Sequence, residues 1–166
     1  MATRRLGRPL VRSALIATLA LSVAAVAVAS DALFLKANLL GTNEIQVTDL
    51  DATGKAQVRI DVEGGEVCFD ISFRDGMTAN RAHIHRGAAG VNGPIVVHFF
   101  NLETVASQTD PILDVLESRN RFGDCVPGDP AILAEIQANP AGFYVNLHNA
   151  RFPAGFVRGQ LGRGGG

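Results

Sequence analysis

The chain lacks most of the motifs on which familiar enzyme chemistries depend. It has no Gly-x-Ser-x-Gly nucleophile turn and no Gly-Lys-Ser/Thr phosphate loop, and Ser72, Ser107 and Ser118 lie in no nucleophile context. No internal repeat is present, which excludes solenoid and propeller architectures. Only two cysteines occur, Cys68 and Cys125, too few for a disulfide-dense scaffold or a four-thiolate metal site. Histidine is scarce too: His83, His85, His98 and His148 are the full set.

Acidic residues are missing from the first 30 positions, whereas Arg4, Arg5, Arg8 and Arg12 crowd there. Ala14 to Ala29 then runs for 16 residues without a charge and ends in Ala27-Val28-Ala29, a small-x-small cleavage pattern. Basic, apolar and small-residue segments in that order read as a secretory signal peptide over residues 1–29. A membrane anchor is the alternative, but the run is short for a spanning helix and rich in weakly apolar Ala. The Arg4-Arg5 pair invites comparison with twin-arginine export, which the following residues do not fit. The expectation is ordinary secretion to the periplasm or the medium, with no membrane attachment once the signal is removed.

Removal of residues 1–29 takes four of the 15 basic residues and none of the 16 acidic ones, leaving 11 against 16, a net charge of −5. That balance argues against nucleic acid as a partner and against docking on anionic lipid. The remaining chain is one domain, residues 30–161, large enough to bury its own core, followed by a Gly-rich tail over 162–166. In an oxidising compartment an even cysteine count reads as a disulfide between Cys68 and Cys125, with two free buried thiols as the alternative.

The body of the chain reads as short strands. Leu33 to Leu39 is apolar. Val58, Ile60 and Val62 alternate with Gln57, Arg59 and Asp61, and Val67, Phe69, Ile71 and Phe73 alternate with Cys68, Asp70 and Ser72. Period-two patterning of this kind marks strands buried on one face. Gly64-Gly65 between the two runs predicts a tight hairpin with positive φ at both glycines. Further strands are expected at Ala82 to Arg86, Pro94 to Phe100, Phe143 to Asn149 and Gly155 to Leu161. Residues 101–128 show no steady period and are expected to form a long surface loop, tethered to the sheet by Cys68–Cys125. Asp129-Pro130 is a helix start, with Ile132, Leu133 and Ile136 inward and Asn139-Pro140 as the stop. Gly87, Gly90 and Gly93 precede a strand and not a helix, so a tight turn is the better reading than an anion loop. These elements predict an all-β sandwich or Greek-key barrel with one short helix.

Two separated stretches carry a family resemblance. Ala82-His83-Ile84-His85-Arg86-Gly87 followed by Gly90-Val91-Asn92-Gly93-Pro94-Ile95-Val96-Val97 resembles the central motif of the CHRD (chordin-type) domain. Tyr144-Val145-Asn146-Leu147-His148, then Pro153-Ala154-Gly155-Phe156-Val157-Arg158-Gly159-Gln160-Leu161, resembles its closing motif. Leu40 to Ile45 is similar to the domain's start, although Gln46 and Val47 stand where the family usually shows prolines. Cys68, Cys125 and Asp129-Pro130 resemble the bacterial single-domain members. The resemblance implies an immunoglobulin-like β-barrel with a distant likeness to copper–zinc superoxide dismutase. It implies no established activity: the growth-factor binding of chordin belongs to cysteine-rich repeats that are absent here.

The histidines admit two readings. On a strand, His83 and His85 share a face about 7 Å apart, and His148 on another strand could complete a three-imidazole site for copper or zinc. Alternatively the pair is hydrogen-bonded to Asn146, Glu44, Arg158 or backbone carbonyls with no metal. A full copper–zinc pair needs about six histidines and an aspartate, so dismutase chemistry is excluded on count. His98 is expected at a strand face or end. Arg158 is expected to be partly buried and paired with Glu44. The sequence thus predicts a non-enzymatic exported module for an unidentified protein or cell-surface ligand, without a cofactor, the alternative being a copper or zinc binder.

Overall fold

The computed structural model describes residues 32–46, 48–74, 78–102 and 120–164. The expected leader, residues 1–29, lies outside them, as do residues 103–119 of the expected loop.

β1 (Leu33–Leu40), β2 (Thr53–Asp61) and β3 (Glu66–Arg74) form a meander in which the alternating residues do as their period dictates. Leu35, Ala37 and Leu39, then Ala56, Val58 and Ile60, then Val67, Phe69, Ile71 and Phe73 all point inward. The register is unbroken from Leu33↔Ile60 to Leu40↔Thr53 and from Thr53↔Arg74 to Asp61↔Glu66. The β2–β3 turn differs from the two-glycine expectation. Asp61 pairs with Glu66, so the loop is four residues long, and of its glycines only Gly65 takes positive φ, at 62°. The longer loop lets Val62 fold back against the core, where Gly64-Gly65 alone would have kept it in the strand.

β4 (Arg81–Arg86), β5 (Ile95–Asn101), β6 (Arg121–Pro127), β7 (Phe143–His148), β8 (Val157–Gln160) and β9 (Gly162–Arg163) complete the sheet. Its order is β5-β4-β7-β8-β1-β2-β3-β6, with β9 added on β1. The connections from β3 to β4 and from β6 to β7 do not join neighbours, which gives the sheet its Greek-key character. The sheet curls into a nearly closed antiparallel barrel. Its open seam, between β5 and β6, is filled by aromatic rings: Phe69 stacks on Phe99 at 4.4 Å, and Phe100 meets Phe122 at a tilt at 4.7 Å. Burying each such ring contributes about 1.5 to 3 kcal/mol, so side chains close the barrel where hydrogen bonds do not.

β6 corrects the expectation of a loop over 101–128. It pairs with β3 from Ser72↔Arg121 to Glu66↔Pro127. Phe122 is its one fully buried side chain, and Gly123 and Asp124 follow, so the strand has almost no period to read. The disulfide is correspondingly different in purpose. Cys68 and Cys125 are direct cross-strand partners, so the bridge staples the terminal strand β6 to β3 rather than tethering a loop. The expected tail is likewise part strand: Gly162 and Arg163 pair with Lys36 and Leu35.

α1 (Pro130–Ala138) begins where Asp129 accepts a hydrogen bond from the Ala131 amide at 2.8 Å, with Pro130 in the first turn. Leu133 and Ile136 are buried beneath it and Ile132 half-buried. Asn139 ends it and the 140–142 turn leads into β7.

Candidate metal centre

β4, β7 and β8 are buried on both faces, unlike the one-sided strands of the meander. Ala82, Ile84, Val145, Leu147 and Val157 enter the apolar core. The opposite face carries His83, His85, Tyr144, Asn146, His148 and Arg158, all buried as well. The register sets His83 opposite Asn146, His85 opposite Tyr144 and Asn146 opposite Arg158. Residues 41–46 and 48–52, with loops 87–94 and 149–156, roof this polar layer. They are knitted together by Gln46 donating to the Ala154 carbonyl at 2.8 Å and Thr48 to the Phe156 carbonyl at 3.0 Å. Arg158 donates to the Asn92 side chain at 2.7 Å.

Within that layer His83, His85 and His148 converge. One ring nitrogen from each lies within 4.8 Å of the other two. The protons can be placed because a carbonyl only accepts. His85 Nδ1 faces the Gly93 carbonyl at 2.9 Å and His148 Nδ1 faces the Pro153 carbonyl at 3.1 Å, so both rings carry their proton on Nδ1. Their Nε2 atoms are left with lone pairs. His148 Nε2 lies 3.2 Å from His83 Nδ1, which then donates to it. His85 Nε2 is buried and has no hydrogen-bond partner among the described residues.

The surroundings keep these rings neutral. Burial pushes His83 down to about 3, helped by the charges of His148, His98, His85 and Arg81. Burial pushes His148 down to about 4 against the opposing pull of the Pro153 carbonyl. His85 is lowered by burial, with the Gly93 carbonyl working the other way. Neutral imidazoles are what a metal ion requires; the His85 Nε2 lone pair is free among the described residues, and an ion would take that of His148 Nε2 in place of the hydrogen bond from His83. Two of the three also have the second ring nitrogen anchored on a backbone oxygen, the outer-shell arrangement that orients metal-ligating histidines. The donor set therefore suits copper or zinc held on His83, His85 and His148. A second close group, Glu66 with Cys68 and Cys125, offers no site because both thiols are consumed in the disulfide.

Glu44, Asn146 and Arg158 come together beside the histidines and not on them. Arg158 donates through Nε to Glu44 Oε2 at 2.9 Å, and Asn146 donates to Glu44 Oε1 and to the Val157 carbonyl. The paired side chains are 3% and 0% exposed, so this is a buried ion pair. Burial raises the Glu44 carboxyl above its ordinary value, with Arg158 and Asn146 opposing. Gly155 closes against this network at φ 128°; a Cβ there would lie 2.7 Å from Glu44 Oε1 and Asn146 Nδ2, so only glycine fits. Among the described residues none of the three hydrogen-bonds an imidazole. The link is Tyr144, whose ring carries the Arg158 guanidinium on one side at 4.5 Å and stacks on His85 at 4.9 Å.

Tyr144 and His98 were the participants hardest to find from the sequence. Tyr144 continues the alternation Tyr144-x-Asn146-x-His148, which was the available signal. His98 is exposed but pairs across the ladder with His83, its ring edge-on at 4.9 Å, and so stands at the solvent side of the cluster.

The family model of the CHRD domain matches residues 35–161, most of the chain. No curated protein and no solved structure matches it.

Proposed function

This chain belongs to the CHRD domain family, and on that premise we propose that it is an exported, non-catalytic binding domain that holds one copper or zinc ion on His83, His85 and His148. The observation that carries this reading is the convergence of three buried, neutral imidazoles, with His85 Nε2 left without a partner among the described residues. A buried polar atom without a partner costs about 1 to 3 kcal/mol, and coordination to a metal ion would remove that cost.

Export is supported by the basic-apolar-small order of residues 1–29 and by the Cys68–Cys125 bridge, which suits an oxidising compartment. The absence of a nucleophile motif from the sequence supports a role without turnover. Metal analysis and calorimetric titration of the purified protein test the reading. One equivalent is expected for the wild type and none of comparable affinity for His83→Ala/His85→Ala. Equally weak binding by both proteins would overturn it.

A second reading is a docking module for a protein or cell-surface ligand. It is favoured by the exposed Ile45, Leu50 and Val91 on two of the loops that roof the site. Loss of envelope retention on changing all three to serine, with metal binding intact, would favour that reading.

A further inference from the structure

Building on the metal-binding reading above, we propose that the His83–His85–His148 site takes copper in its monovalent state in preference to zinc or divalent copper.

The case is one of charge. Three neutral imidazoles supply no negative charge, and among the described residues no carboxylate or free thiolate belongs to the converging group. The outer-shell partners of His85 and His148 are the carbonyls of Gly93 and Pro153, where a carboxylate in either place would have offset a second positive charge. Glu44 is engaged by Arg158 and Asn146. Of the charged side chains that act on the histidines, Arg158 is balanced by Glu44, and Arg81 brings no negative charge.

An ion entering this layer leaves water for a poorly polarisable surrounding. Its desolvation cost grows with the square of its charge, so a divalent ion is penalised more than a monovalent one. Zinc in a three-histidine site also takes a fourth ligand, commonly water. Monovalent copper has a filled d shell, imidazole suits it as a ligand, and three neutral nitrogens satisfy it. His83, His85 and His148 are 3%, 9% and 7% exposed, which keeps the site dry.

The test is competition on the purified protein, with Cu⁺ added anaerobically against bathocuproine disulfonate and Zn²⁺ and Cu²⁺ each against a colorimetric chelator. The expected result is one Cu⁺ per chain, held at least about tenfold more tightly than either divalent ion. His85→Gln, which removes one ligand atom and keeps a similar volume, should abolish the preference. Should that variant misfold by circular dichroism, the wild-type affinities alone decide. If zinc or Cu²⁺ binds as tightly as Cu⁺ at a site lost in His83→Ala/His85→Ala, the metal site stands and the monovalent preference falls. If no ion binds the wild type better than that double variant, both fall.

Discussion

His85 donates from Nδ1 to the Gly93 carbonyl at 2.9 Å, and that bond fixes its other nitrogen as a buried lone pair with no donor among the described residues. The Tyr144 ring, stacked at 4.9 Å and only 7° from parallel, holds the imidazole plane. Gly93 lies on a surface turn and His85 on a central strand. The turn therefore acts on the site through one backbone oxygen.

The buried ion pair is the first point of attack on stability. Glu44→Ala leaves the Arg158 guanidinium in a dry layer without its carboxylate, and Arg158→Ala strands the carboxylate in turn. Each is expected to cost about 3 to 5 kcal/mol in urea unfolding. Glu44→Gln/Arg158→Met removes both charges and should cost less than the sum of the single losses, because the two sites share one interaction.

Acid should destabilise the metal-free protein before ordinary carboxylates titrate. Unfolded histidines take up protons near pH 6.5, while folded His83 resists to about 3 and His148 to about 4. Between those limits the unfolded chain binds more protons, so stability is complete above pH 6.5 and falls as the pH drops toward 3. The groups facing these rings, His85, His98, Arg81 and Arg158, all oppose protonation. The raised Glu44 carboxyl works in the opposite sense, adding stability as the pH falls below its folded value. Urea midpoints at pH 7.5, 5.5 and 4.5 check this. A flat series would contradict the neutral, buried assignment of the cluster.

The barrel was legible in the sequence wherever one face was wet. Leu35 to Leu39, Val58 to Ile60 and Val67 to Phe73 alternate because their outer faces meet water, and Asp129-Pro130 declared the helix by its capping chemistry. β6 was hidden because a single inward Phe122 beside Gly123 gives no period. The polar face of β4 and β7 was the harder case. His83, His85, Asn146 and His148 alternate with apolar residues as solvent-facing ones would, and the roof formed by residues 41–46, 48–52, 87–94 and 149–156 buries them. Long-range loop packing has no local signature, so the convergence of three imidazoles needed coordinates.

The disulfide should show itself twice. A non-reducing peptide map is expected to yield one cross-linked pair containing Cys68 and Cys125, and two alkylatable thiols would refute it. The bridge spans 57 residues, so chain entropy predicts a loss of about 4 kcal/mol for Cys68→Ala/Cys125→Ala. Because the bridge staples β6, hydrogen exchange in that variant should accelerate first at residues 121–127.

X-ray absorption at the metal edge of the loaded protein tests the central claim most directly. A first shell of three nitrogens at about 2.0 Å, with the outer-shell scattering of imidazole rings, is predicted, losing one ring in His148→Ala. A shell of oxygens, or a spectrum that His148→Ala leaves unchanged, would contradict it.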